Sequence, residues 1–141
     1  MRLWHKDLIH ILPRQQLVAQ WRELSSIAGS IKQKGTPNHI LVNFVLEYSW
    51  NDFISYTYYI RQEMTKRGYR TMDSVWNKIC SLSNNDYNIL PIEEIYTRKM
   101  DEQYLTICVY NLYEKYLCGG IDKKDWNKIL EVVNGKIKTD N

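Results

Sequence analysis

Polar side chains recur at helical spacing near the start of the chain. Gln15 and Arg22 are seven residues apart and therefore lie nearly on one face of a helix, with Glu23 adjacent to Arg22. Leu17 lies roughly 160° around such a helix from Arg22, so the polar row points away from the apolar stripe. A carboxylate beside an arginine, on a helix with amide side chains, could form one wall of an active site. An ordinary amphipathic helix has the same pattern, and both interpretations remain open at this point.

Common catalytic and metal-binding motifs are missing from the sequence. It contains no Gly-rich phosphate loop, no His-Glu-x-x-His motif and no Gly-x-Ser-x-Gly motif. His5 and His10 are five residues apart, which is poor helical spacing for a shared metal, and no cysteine lies near enough to complete a site. We therefore predict neither a metal site nor a cofactor, and we interpret the two histidines as polar or capping residues.

Aromatic residues are numerous, with five Trp and eleven Tyr. Their helical spacing assigns most of them to the core. However, Trp4 and the series Tyr110, Tyr113 and Tyr116 could include a platform on which nucleic-acid bases stack. The tyrosine-rich helix over residues 104–116 could alternatively bind a helix of a partner protein.

Four helical patterns must position these side chains. Apolar residues recur at helical spacing over residues 13–28, 49–68, 100–117 and 122–135, and glycines at 29, 68, 119 and 135 mark the ends. Ser49 and Asp52 resemble a capping box at the start of the second pattern. Residues 40–46 could form a strand or a buried coil, and residues 71–99 indicate a short helix over 75–82 followed by a loop. One possible strand without a partner favours a single all-α domain, compact and bundle-like, over residues 1–141.

Composition excludes several classes of protein. The chain has 141 residues, of which 44% are hydrophobic and 25% charged, which are ordinary globular values. No apolar run approaches the ~18 residues that a membrane span needs, and the N-terminus lacks a secretory signal. The three cysteines form no Cys-x-x-Cys pair, which is typical of free thiols in a reducing compartment. We therefore expect a cytoplasmic protein that is not bound to a membrane.

The charge is unevenly distributed along the chain. The net charge is only +3, but basic residues concentrate in residues 1–34 and 61–80, and acidic residues in 81–120. Such a dipole could present a positive face to a phosphate backbone, although a solvated surface with uneven charge is an equally simple interpretation.

A resemblance to a known family gives these residues a context. Residues 15–24, with the sequence QQLVAQWREL, resemble the first helix of the pyrimidine-dimer DNA glycosylase family of the phage endonuclease V type. Members of that family have Gln-x-Leu-x-Ala-x-aromatic-Arg-Glu-Leu at the same distance from the start of the chain. Residues 38–40 and 66–69 are similar to two further landmarks, Gly-His-Val and Lys-Arg-Gly-Phe. Residues 1–5 together with 12–16 look like a bacterial branch of the family.

The resemblance implies an all-helical DNA repair enzyme that uses its N-terminal α-amine as a nucleophile. An α-amino group has a pKa of ~8 against ~10.4 for lysine, so roughly a tenth of it is neutral at pH 7. In this family the neutral amine attacks C1′ of the damaged nucleotide, displaces the base and forms an imine, from which β-elimination nicks the strand. By this resemblance Met1 supplies the amine and Glu23 is the catalytic carboxylate.

The same resemblance predicts the residues that contact damaged double-stranded DNA. Arg22 and Gln15 match positions on the DNA-contacting face of the first helix, and Arg14 belongs to the same segment. Arg2 is a looser match to an arginine beside the nucleophile, displaced by one position.

The chain departs from the family pattern at several positions. The bulky Arg2 follows the initiator residue and predicts that Met1 is retained, whereas the phage type exposes a threonine amine. Gln16 and Ser26 stand where the family has a histidine and a phosphate-binding arginine. The family's C-terminal Trp-Tyr-Lys-Tyr-Tyr element has no close counterpart. A noncatalytic DNA-binding protein on the same scaffold and a protein-interaction module are therefore the alternative hypotheses.

Overall fold

The computed structural model describes residues 1–133, which form helices and turns and contain no strand. The predicted all-α fold class is therefore confirmed. Five α-helices follow one another along the chain: α1 (Arg14–Lys34), α2 (Trp50–Lys66), α3 (Asp73–Cys80), α4 (Glu102–Leu117) and α5 (Lys123–Val133). Short 3₁₀ helices span Lys6–Ile11, Asn43–Glu47, Ser81–Ser83 and Ile92–Glu94. None of the helices within residues 1–133 is long and apolar enough to span a membrane.

The first helix is longer than the sequence pattern predicts. Helix α1 passes through Gly29 and ends at Gly35, whose φ of 78° allows its N–H to bond the carbonyl of Ile31. The helix continues because Ile31 extends the buried stripe of Leu24 and Ile27 by one further turn. The predicted end at residue 28 is wrong because a glycine inside a helix costs only ~1 kcal/mol, less than the burial of Ile31 provides.

The start of α2 differs from the predicted capping box. Ser49 is the residue before the helix, but its side chain caps no backbone N–H. Asp52 is buried and its Oδ2 accepts a hydrogen bond from the backbone N–H of Tyr96 at 2.9 Å. The carboxylate therefore joins α2 to the segment before α4. Gly68, with a φ of 85°, follows the end of α2 as predicted.

The remaining predicted elements are found with small shifts. Residues 40–46 form neither a strand nor a coil but a turn that leads into the 3₁₀ helix Asn43–Glu47. The short helix predicted over 75–82 corresponds to α3 and the 3₁₀ turn that follows it. Asp101 caps α4 by accepting from Tyr104 N–H, and Asp122 accepts from Asp125 N–H at the start of α5. The predicted end of the last helix at Gly135 lies outside the described residues.

Most of the aromatic residues are used for packing. Trp126 of α5 is fully buried and stacks against Tyr113 and Tyr116 of α4, with ring centroids 5.1 and 5.4 Å away. Trp4 is also buried, and Tyr110 is the member of the predicted stacking platform that is largely exposed. The rings of Trp4, Tyr113 and Tyr116 therefore pack in or against the core, and a platform for nucleic-acid bases that includes Tyr110 stays a prediction.

Candidate active site

The N-terminal segment passes through the core of the protein rather than over its surface. Leu3, Trp4, His5 and Lys6 are all buried, although they precede the first helix. Their backbone polar groups are removed from water and need partners within the protein. Side chains from α1, α2 and α4 provide several of these partners, so the position of residue 1 is fixed by the core.

Gln20 of α1 binds this segment at two points. Its side chain is fully buried, its Oε1 accepts from the Trp4 backbone N–H at 2.8 Å, and its Nε2 donates to the Arg2 carbonyl at 3.0 Å. The Gln20 side-chain amide therefore pairs with one backbone N–H and one backbone carbonyl of the segment, as the backbone of a neighbouring β-strand does. Because Gln20 and Glu23 lie one turn apart on α1, this pairing fixes residues 2–4 close to Glu23.

Two buried tyrosines hold the other side of the segment. The hydroxyl of Tyr56 from α2 lies 2.6 Å from the Trp4 carbonyl and 2.8 Å from Gln20 Oε1. The hydroxyl of Tyr104 from α4 donates to the Leu3 carbonyl at 2.5 Å. Burial raises the pKa of both hydroxyls above the ordinary value, so they remain protonated and can donate.

His5 and Lys6 complete the attachment. Burial lowers the pKa of His5, so its ring is neutral, with Nδ1 accepting from Asp7 N–H and Nε2 donating to the Met100 carbonyl at 2.8 Å. The prediction that His5 is a capping residue is confirmed, since it caps the 3₁₀ helix Lys6–Ile11. Lys6 Nζ donates to the carbonyls of Glu93 and Ile95. No group of three or more His, Cys, Asp or Glu that could hold a metal ion occurs within the described part of the chain.

A small pocket of about 240 Å³ opens where this segment begins. It is lined by Met1, Arg2, Trp4, Glu23, Leu41, Asn111 and Lys115. The residues of the pocket therefore come from the chain start, from α1, from the turn before the 3₁₀ helix Asn43–Glu47, and from α4. Met1 is about half exposed and lines this pocket.

Glu23 is the carboxylate of this pocket. Its Oε2 atom is buried and has no hydrogen-bond partner among residues 1–133. Burial raises the pKa of Glu23 above the ordinary value, and the positive Met1 amine, the Arg2 backbone N–H, His39 and Lys115 oppose this increase. A carboxylate with an unpartnered oxygen and a raised pKa, close to an amine, is suited to accepting a proton.

The two groups of predicted residues lie in different places. Met1, Arg2 and Glu23 line the pocket together. Arg14, Gln15 and Arg22 are exposed and line, with Val18, a separate shallow concavity of about 460 Å³ on the outer face of α1. The Arg14 guanidinium also lies 5.1 Å from the centre of the Tyr69 ring. Arg2 is half-buried, and its guanidinium faces the Tyr104 hydroxyl and the Cys108 thiol. Burial raises the pKa of both groups, and the positive charge of Arg2 opposes this increase.

The sequence pattern missed the residues that hold the chain start in place. Gln20 carried a signal that could have been used, because it follows Leu17 by three residues and is therefore a polar residue on the apolar stripe of α1. The helical spacing of Tyr56 and Tyr104 predicts core positions but not their hydrogen bonds to the N-terminal segment. Asn111 and Lys115, four residues apart on one face of α4, gave no indication that this face approaches Glu23.

Comparison with known proteins links the N-terminal half of the chain to a family. The family model described as pyrimidine dimer DNA glycosylase matches residues 1–77, which is more than half of the chain. The match includes α1, α2 and the whole segment that precedes them. No curated protein and no solved structure gives a significant match.

Proposed function

Since the chain belongs to the pyrimidine dimer DNA glycosylase family, we propose that it excises dimerised pyrimidines from double-stranded DNA and then nicks the strand at the resulting abasic site. The nucleophile is the α-amine of Met1, and Glu23 assists proton transfer. The observation that carries this proposal is the shared pocket of Met1 and Glu23, in which Glu23 Oε2 has no hydrogen-bond partner within the described part of the chain. The family implies a DNA substrate.

The proposed reaction has two stages. In the first, the neutral amine nitrogen bonds to C1′ of the damaged nucleotide, and the base leaves with the electron pair of its glycosidic bond and takes up a proton. The amine nitrogen then loses one proton, and its lone pair forms the C=N bond as the C1′–O4′ bond breaks and O4′ takes up a proton, which opens the sugar ring and leaves a protonated imine at C1′. In the second, a proton is removed from C2′ and the C3′–O bond breaks, so that the phosphate leaves and the strand is cut.

Glu23 supports both stages through its charge and its proton affinity. As a carboxylate it stabilises positive charge that develops on the sugar at C1′ and on the imine nitrogen. Because burial raises its pKa, it also holds a proton more readily than an exposed glutamate and can take one from the Met1 ammonium or from C2′. No metal or cofactor is required for any of these steps.

Borohydride trapping tests the proposal directly. We expect purified protein to form a covalent adduct with a duplex oligonucleotide that contains one abasic site or one thymine dimer, because reduction converts the imine into a stable amine. Peptide mapping should locate the adduct at residue 1, and intact mass should show that Met1 is retained before Arg2.

Two controls make the trapping result informative. Undamaged duplex should give no adduct, and acetylation of the α-amine should remove the adduct with damaged DNA. Salt-sensitive binding of duplex without any adduct, from folded protein with a free Met1 amine, would contradict the enzyme assignment and support the noncatalytic DNA-binding alternative.

We further propose that the outer face of α1 binds the DNA backbone. Helix α1 carries four basic side chains and one acidic one, and Arg14, Gln15 and Arg22 line one concavity on its exposed side. Arg22 precedes Glu23, so a phosphate bound there would lie near the pocket. Arg2, half-buried beside Tyr104 and Cys108, would contribute from within the pocket.

Replacing Arg22 by alanine is expected to weaken duplex binding without changing the fold. Loss of one phosphate contact should reduce the slope of log K against log salt concentration by about 0.9, and this slope can be measured by fluorescence anisotropy. Arg98→Ala is the matched control, since Arg98 is also exposed but packs over the Tyr48 ring on another segment. An unchanged slope in the Arg22 variant would remove α1 from the DNA interface.

A further inference from the structure

An exposed isoleucine projects from the turn beside the candidate pocket. Ile40 is 88% exposed, more than any other large hydrophobic residue in the described part of the chain. The next residue, Leu41, is 41% exposed and lines the pocket with Met1 and Glu23. Exposed apolar groups gathered beside a binding site are typical of a contact surface rather than of solvated protein.

The turn that carries Ile40 is held by its own hydrogen bonds. The backbone N–H of His39 donates to Asn43 Oδ1 at 3.0 Å, and that of Leu41 donates to His39 Nδ1 at 3.2 Å. The N–H groups of Val42 and Asn43 both donate to the His39 carbonyl, and Val42 is fully buried. Ile40 is therefore presented at the tip of a fixed turn whose far side is anchored in the core.

We propose that Ile40 is an apolar wedge that enters the base stack of duplex DNA at the damaged nucleotide. This inference rests on the proposed function, because attack at C1′ within a duplex requires the helix to be kinked and a nucleotide to leave the stack. Proteins that kink DNA often insert isoleucine or leucine side chains between base steps, where the apolar group replaces lost stacking contacts. Leu41, next in the chain, lines the pocket in which the sugar would react.

The electrostatics of the turn are compatible with this partner. Residues 34–46 contain no acidic side chain, so the turn does not repel phosphates. The pocket beside it contains the Met1 amine and Lys115. An apolar tip next to a pocket that contains cations matches the pattern of a duplex, in which an apolar base stack lies between two charged backbones.

The test compares one abasic site in two contexts, so that the reacting atoms stay the same. Borohydride trapping rates are measured on an abasic site in a duplex and on the same abasic site in a single-stranded oligonucleotide. Ile40→Ala is expected to lower the rate on the duplex by about tenfold, the order of loss expected when part of one apolar side chain is no longer buried. The single strand has no stack to open, so its rate should not change.

Matched variants separate a wedge from a general loss. Ile89→Ala removes the same side chain from another loop, where Ile89 is 37% exposed, and should leave both rates unchanged. Ile40→Phe keeps an apolar body at the tip and should retain most of the duplex rate. Because Ile40 makes few contacts within the protein, its replacement should not change the melting temperature.

The possible outcomes distinguish this proposal from the one on which it rests. A selective loss on the duplex supports the wedge. Equal rates of wild type and Ile40→Ala on both substrates, or an equal loss on both, overturn it while leaving the proposed lyase activity intact. If the wild type traps neither substrate, the proposed function is wrong, and the wedge is rejected with it.

Discussion

Replacing Glu23 by glutamine is expected to reduce strand nicking by about 10²–10⁴-fold, the range that a lost general acid–base usually produces. Glutamine has nearly the same shape but can neither carry the charge that stabilises the imine nor accept a proton from it. Duplex binding should remain, since the exposed cations of α1 are unaltered. The measurement is the single-turnover nicking rate on an abasic duplex, together with the dissociation constant at the same salt concentration.

The Glu23 variant should at the same time be more stable than the wild type at neutral pH. Burial raises the pKa of Glu23 in the folded chain above the ordinary carboxyl value of 4.5, so the folded state binds this proton more tightly than the unfolded state. Wild-type stability therefore falls as the pH rises from that ordinary value through the raised pKa. Glutamine cannot ionise, so the difference in melting temperature should grow across this pH window and remain constant above it.

Glu47→Gln is a suitable control for both measurements, because Glu47 is an exposed glutamate outside the pocket. It should change neither the nicking rate nor the pH dependence of the melting temperature. Full nicking activity in the Glu23 variant would exclude Glu23 from catalysis. If the melting temperature of the Glu23 variant at pH 7 is lower than that of the wild type, the Glu23 carboxylate stabilises the fold instead.

Replacing Gln20 by leucine is expected to destabilise the protein by about 3 kcal/mol. The Trp4 N–H and the Arg2 carbonyl would both lose their partner within the core, and each unsatisfied buried group costs about 1–3 kcal/mol. The free energy of unfolding, measured in urea, gives this value. Under conditions where the variant is still folded, its trapping rate should also fall, because residues 1–4 are no longer fixed beside Glu23.

Gln16→Leu is the matched control for this prediction. Gln16 is on the same helix, and its Oε1 is buried with no hydrogen-bond partner in the described residues, so leucine there leaves no carbonyl or N–H of the N-terminal segment unpaired. We expect a change of less than about 1 kcal/mol and an unaltered trapping rate. If the Gln20 variant is as stable as the wild type, the N-terminal segment is not held by this side chain.

The local features of this protein could be predicted from its sequence. The apolar stripe of α1, the exposed row of Arg14, Gln15 and Arg22, and the stop at Gly68 all depend on residues within two or three turns of one another. Helical periodicity and backbone conformation act over that distance, so the sequence contains the necessary information. The pairing of Glu23 with an N-terminal amine came from the family resemblance, and spacing along the chain did not indicate it.

The predictions from sequence were wrong where a contact distant from the local pattern replaced the expected local interaction. Asp52 looked like half of a local capping box, but a backbone N–H from residue 96 uses its carboxylate. Gly29 looked like a helix end, but the burial of Ile31 carries α1 onward. In both cases a local preference worth about 1 kcal/mol was overruled by a contact with a residue outside the local pattern, a hydrogen bond for Asp52 and apolar burial for α1.

The sequence by itself determined the helices, the face of α1 that carries its cations, and the position of Glu23 three residues after Gln20. Only the tertiary structure decided that residues 3–6 are buried, that Gln20, Tyr56 and Tyr104 hold them, and that α4 brings Lys115 to the pocket. The hydrogen bonds to the N-terminal segment join residues 16, 52 and 101 positions apart. No periodicity reports contacts at such separations, because they form only when several helices bury their apolar faces against one another.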